Sequence, residues 1–319
     1  MTTISAPSLL SAKKGSGSRK FKNSLATVLV YLAFGIALVP LVWLLYTVID
    51  RGWKAVTSAG WFTDTQRGVT FSDKGGGVWH AILGTLEEVA FCAVISVPIA
   101  ILVAIYLVEY GGGWLARVTT FMVDILTGVP SIVAALFIYA VFLATFNGQF
   151  AGVYASLALV LLMVPVIVRT SEEMLKLVPN ELREASYALG VPKWKTIYRI
   201  VLPTAFTGIT TGVVLGIARV AGETAPLLVL VKYTPNLNGN LFSGFQASLP
   251  LMIKEQVNNL NQANSGTAYH LDANGNRVAG AVANYAPDRM WGAALTLIAI
   301  VMILNLIARF VGRFNKVTQ

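Results

Sequence analysis

The chain has 319 residues, 55% of them hydrophobic and 12% charged, with a net charge of +9 and a mean hydropathy of +0.67. A soluble domain carries about 25% charged residues, so water is excluded as the solvent for most of this chain. The basic excess sits in short segments beside apolar runs, which suits an anionic membrane leaflet and argues against nucleic acid as a partner.

The single cysteine, Cys92, excludes an intrachain disulfide, no metal-ligand spacing is present, and no cofactor is expected. The isolated His80 and His270 read as interfacial or loop histidines.

Residues 1–24 read as a flexible cytoplasmic tail, rich in Ser, Gly and Lys around 11–20. The apolar run that follows, 25–49, is too long for a signal-peptide core and long enough to span a bilayer. It is the first of six such stretches; the others are 81–108, 125–146, 151–168, 205–231 and 290–308. An all-α integral membrane fold with six transmembrane helices follows, over a permease domain of 25–313.

Loop charge orients the spans. Fifteen Lys and Arg residues lie on the side of the termini and eight, spread over longer loops, on the other. Both termini are therefore expected in the cytoplasm. On the outer side, Trp53, Trp61 and Trp79 suit an interfacial belt, and Gly75-Gly76-Gly77 reads as a turn rather than a ligand-binding loop. Residues 249–253 are expected on the membrane surface, and the Asn-rich stretch 258–286 as a mobile insert.

The segment 184–203 is a polar island between two apolar runs. Val178-Pro179-Asn180 breaks the fourth span, and Asn180 can cap a short helix that Gly190 ends. Pro192 suits the first turn of a second helix, which is expected to end before Pro203. The result is two short helices at an angle, with exposed charge. No G-x-x-x-x-G-K-[ST] loop is present, so any ATP that drives the chain is hydrolysed on another subunit. No catalytic nucleophile–base constellation is visible.

In the fifth span, Arg219 and Glu223 lie four residues apart, on one face of a continuous helix, with Thr224 beside them. A charge inside the bilayer costs roughly 2.5–3.5 kcal/mol or more and generally faces a bundle interior or pathway. Two readings stand open. Arg219 can stabilise an oxyanion in transit while Glu223 holds it in place, or the two form a structural ion pair. Gly208, Gly212 and Gly216 present a small-residue face for close packing of another helix or subunit.

Glu184-Ala185-Ser186, Gly190 and Ile200-Val201-Leu202-Pro203 resemble the EAA loop of ABC importer membrane subunits, with Ser186 in place of the usual alanine. That resemblance implies a type I ABC importer permease fold with a cytoplasmic coupling-helix loop docking on an ATPase. Five further stretches are similar to PstA-type phosphate permeases: 127–132, 165–174, 182–185, 219–228 and 247–250. This likeness covers roughly 77–309, the type-1 transmembrane core. It implies inorganic phosphate as cargo, a homologous PstC-type permease, two PstB-type ATPase subunits and a PstS-type phosphate-binding protein. It also implies a translocation role for Arg219 and Glu223. A permease for sulfate or molybdate and a stand-alone anion channel or secondary transporter are the alternatives.

Overall fold

A computed structural model describes residues 17–264, 269–271, 277–279 and 283–314. The chain divides into two compact units, Met1–Ile49 and Asp50–Gln319. Helix α1 (Gly17–Val56) starts within the expected tail, whose residues 1–16 lie outside the described residues.

The second unit is helical. Its long elements are α2 (Trp79–Ile105), α5 (Gly152–Lys176), α8 (Leu202–Ala221) and α11 (Ala286–Phe314). Helix α2 runs on as a π-helical turn, Tyr106–Tyr110. Among the described residues, five helical runs, α1 included, are long and apolar enough to cross a membrane.

The third expected span is a broken pair. Helix α3 (Gly113–Gly128) and a second segment over Ser131–Thr145, which opens as α4 (Ser131–Ile138), meet at 107°. Pro130 dictates the break: it has no N–H to donate, and it pushes Val129 into extended backbone (φ −70°, ψ 126°).

The fifth expected span breaks as well, which corrects its reading as one helix. Helix α8 stops at Ala221, and α9 (Ala225–Leu230) resumes after Gly222-Glu223-Thr224. In an unbroken helix Pro226 would clash with the carbonyl of Gly222, so it sits in the first turn of a new helix instead. The short helices α4 and α9 pack on each other and on α5 through Ala135, Ile138, Ala158, Leu227 and Leu230.

Helix α5 is the core, facing α2 on one side through Cys92, Leu159 and Met163. On the other side it meets the glycine face of α8. A Cβ at Gly208 would collide with Met174 and one at Gly212 with Thr170, while one at Gly216 would lie 3.0 Å from Ile167. The small-residue stripe therefore has its partner within the chain.

Three expectations at the loop end of the bundle are corrected. Trp61 is buried, not interfacial, and donates Nε1–H to Thr296 Oγ1 at 3.1 Å; Trp53 and Trp79 are exposed. His80 is also buried, with Nε2 2.9 Å from the hydroxyl of Tyr233. Residues 249–253 open helix α10 (Leu249–Asn264), where Leu249, Leu251 and Met252 are core residues.

The loop before α2 is clamped by buried Arg289 of α11, whose Nη2 donates to Thr70 O at 2.7 Å. Gly75 and Gly76 take positive φ as the turn requires, and Gly77 lets the backbone of Asp64 approach closely. The expected mobile insert falls partly outside the described residues. Its described parts are the end of α10, a small antiparallel hairpin, β1 (Tyr269–Leu271) with β2 (Arg277–Ala279), and residues 283–286, which lead into α11.

Candidate functional site: an elbow and a broken helix

The polar island folds as an elbow. Helix α6 (Asn180–Ala188) ends in a Schellman motif: Gly190 N–H donates to Tyr187 O (2.9 Å) and Val191 N–H to Ser186 O (3.2 Å). Gly190 supplies the positive φ of 74° this ending needs. Pro192 precedes α7 (Lys193–Thr196). At the other end, Asn180 makes no side-chain cap; its Oδ1 accepts from Arg183 Nη1 at 3.2 Å.

No break occurs at Pro203, contrary to expectation. Helix α7, a π-helical turn (Ile197–Val201) and α8 form one helical run from Lys193 to Ala221. The π-turn absorbs the proline, whose missing N–H falls where the wider turn has already disrupted the regular hydrogen-bond ladder.

The elbow sorts its residues by face. Ser186 is buried, and its hydroxyl pairs with that of Thr196 at 2.8 Å, closing α6 onto α7. Glu184, Ala185 and Gly190 are exposed. Beside them stand Tyr187, Leu189 and Trp194, also exposed, with Leu189 at 83%. Exposed apolar residues rimmed by charge are what a protein-docking surface requires. Ile200 is half-buried in the π-turn. Leu202 and Pro203 line a groove of about 610 Å³ between α2 and α8, so they sit where the elbow enters the bundle.

Sequence reasoning missed the anchors of the elbow. Arg183 Nε and Nη2 donate to Glu109 Oε1 at 3.1 and 2.8 Å. The same guanidinium donates to Val178 O (2.6 Å) and Leu175 O (3.0 Å), carbonyls at the end of α5. Lys193 Nζ bonds the carbonyl of Glu109 and lies 4.7 Å from the ring centre of Tyr110. The available signal was a lone acidic residue, Glu109, at the end of the second apolar run. Above the elbow, Arg169 of α5 pairs with Asp124 of α3 and with Glu172, which also accepts from Lys176 at 2.7 Å.

The break in the fifth span carries the second set of residues. Arg219 lies in the last turn of α8 and is exposed; Glu223 and Thr224 lie in the non-helical link and are half-buried. Because the helix ends between them, the expected pairing on a continuous face is not made: among the described residues, no ion pair joins Arg219 to Glu223. Among the described residues the guanidinium has no hydrogen-bond or ion-pair partner, and it lies exposed beside the break. Broken helices of this kind are tolerated at membrane depth where they are buried in protein or line a cavity.

Apolar helices of spanning length and an exposed helix–glycine–helix elbow define a membrane-embedded protein with a surface suited to docking. A family model described as "Binding-protein-dependent transport system inner membrane component" matches residues 96–315. "Phosphate transport system permease protein PstA 1" of Mycobacterium tuberculosis (strain CDC 1551 / Oshkosh) is 52% identical over 293 residues, 92% of this chain and 89% of that protein. The PstA of Mycobacterium leprae (strain TN) is 52% identical over 90% of this chain and 88% of its own length. That of Yersinia pestis is 43% identical over 68% and 73%.

Among solved structures, a chain of a bacterial alginate ABC transporter, crystallised with an alginate-bound periplasmic protein, superposes with a TM-score of 0.61. It is 12% identical, covering 93% of this chain and 98% of that one. A chain of the MetNI methionine ABC transporter gives a TM-score of 0.53 at 16% identity, covering 75% and 94%. These likenesses show the fold, that of type I ABC importer permeases. The chain belongs to the PstA family of phosphate transport system permeases, inner membrane components of binding-protein-dependent transporters.

Proposed function

We propose that this chain is the transmembrane permease subunit through which an ATP-driven importer moves inorganic phosphate into the cytoplasm. The observation that carries the reading is Arg219: an exposed guanidinium with no ion-pair partner among the described residues, at a helix break inside an otherwise apolar span. A guanidinium presents donors in a fork that matches two phosphate oxygens, and near the bilayer its desolvation sharpens that attraction. Thr224 adds a hydroxyl at the same break, and Glu223 limits how long the anion stays by placing a like charge nearby. The identity to PstA proteins of phosphate transport systems supports phosphate over other oxyanions.

The chain performs no catalysis itself. In the assembly we propose, it pairs with a PstC-type permease and two PstB-type ATPase subunits, and a PstS-type protein delivers phosphate. The elbow faces the cytoplasm with both termini, and its exposed Glu184, Ala185, Tyr187 and Leu189 meet the ATPase.

The test is uptake of labelled phosphate, sulfate and molybdate into vesicles holding the assembled transporter and its binding protein. Preference for phosphate and dependence on ATP are expected. Preference for sulfate or molybdate would overturn the cargo, and anion conductance by the chain without an ATPase would overturn the importer.

A further inference from the structure

The elbow is covalently continuous with α5 and α8, so whatever moves it moves both. Helix α2 has no such link: Arg183 and Glu109 are 74 residues apart in the chain. Yet both limbs of the elbow hold Glu109 in the π-turn that ends α2, and one of them also holds Tyr110. Helix α6 does so through Arg183 on the Glu109 carboxylate, and α7 through Lys193 on the Glu109 carbonyl and the Tyr110 ring.

Local chemistry favours this site. The last carbonyls of a helix have no intrahelical donor, and cations are favourable beside them. Lys193 fills that role for α2, and Arg183 adds donors to the carbonyls of Leu175, in the last turn of α5, and of Val178, just beyond it. One guanidinium thus bolts α6 to the ends of two spanning helices. The ion pair is largely buried, with side-chain exposures of 12% for Arg183 and 5% for Glu109. Such a pair gives little net stability over apolar packing, and its best use is to fix one arrangement. The contacted residues also form a π-turn, a local widening that recurs at functional positions.

We propose that Arg183 and Lys193 are positioning residues that grip Glu109 and Tyr110 and so carry movement of the elbow directly into α2. The proposal rests on the reading of the elbow as the ATPase docking element. Without the grip, α5 and α8 would follow the ATPase while α2 lagged.

The experiment uses the assembled transporter in proteoliposomes with its binding protein, measuring ATPase co-purification, ATP hydrolysis and labelled phosphate taken up per ATP. Arg183→Met and Lys193→Met are each expected to keep the ATPase bound and hydrolysing while uptake per ATP falls, on the order of tenfold for Arg183→Met. Lys193 is exposed, so its substitution leaves the fold intact if Arg183→Met does not. The exchange Glu109→Arg with Arg183→Glu is expected to recover part of the coupling that Arg183→Met loses.

Unchanged uptake per ATP in both single variants would overturn the grip. Loss of the ATPase from both would also overturn it, by reducing the contact to assembly. Leu189→Asp, on the exposed face of the elbow, separates the two readings because it is expected to release the ATPase. Full retention and transport there would overturn the docking reading, and the grip with it.

Discussion

Ser186 stands where the loop pattern usually carries alanine, and the difference is a hydroxyl buried against that of Thr196. Ser186→Ala leaves Thr196 with only a long bond to Pro192 O at 3.4 Å. A loss of about 1 kcal/mol is expected, seen as a lower unfolding temperature of the purified subunit with transport retained. Arg219 is the opposite case, a residue whose removal should spare the fold. Arg219→Gln is expected to abolish most phosphate uptake while assembly and thermal stability stay unchanged, because no ion pair is lost. Glu223→Gln should likewise leave stability unchanged; a clear destabilisation by either would mean that the two side chains pair in the assembled state. Both charges were legible as intruders in an apolar run. Their pairing was misread because it assumed a helix that Pro226, four residues beyond Gly222, does not allow.

At the scale of elements, two prolines decide where apolar runs break, while Pro40, Pro98 and Pro165 lie inside unbroken helices. Val129-Pro130 and Ala225-Pro226 each turn one apolar run into two helices, and the short second halves, α4 and α9, find each other in the core. Apolar length alone could not reveal this, since both halves remain hydrophobic. Pro203 failed as a breaker because a π-turn precedes it, and such a turn has no sequence periodicity to read. The glycines were more legible. Gly190 was expected as a helix stop and adopts the left-handed conformation of one. Gly190→Val forces a β-branched residue to positive φ, at an expected strain of roughly 1–2 kcal/mol. ATP hydrolysis should then continue while phosphate uptake falls, measured side by side in proteoliposomes; unchanged uptake would show that the elbow angle is immaterial. Gly212→Val meets Thr170 directly and should separate α8 from α5, reducing the yield of assembled complex.

Across the whole molecule, what the sequence held least openly was contact between distant segments. Lys and Arg counts give an expected orientation, and apolar length finds candidate spans, yet neither predicts that Arg289 would clamp the loop before α2 or that Arg183 would reach Glu109. Such pairs join residues separated by hundreds or tens of positions, with no period to betray them. Trp61 and His80 were misplaced for the same reason: their burial depends on Thr296 and Tyr233, far along the chain. The orientation itself is open to a direct test, because the only cysteine, Cys92, is buried and gives a silent background. Leu189→Cys places a reactive thiol on the exposed elbow, and Asn240→Cys places one on the exposed loop between α9 and α10. In intact cells an impermeant maleimide is expected to label Asn240→Cys and to miss Leu189→Cys, with the pattern reversed in inverted vesicles. Labelling of both from one side, or the opposite polarity, would remove the elbow from the cytoplasm and with it any route by which an ATPase there could drive the chain.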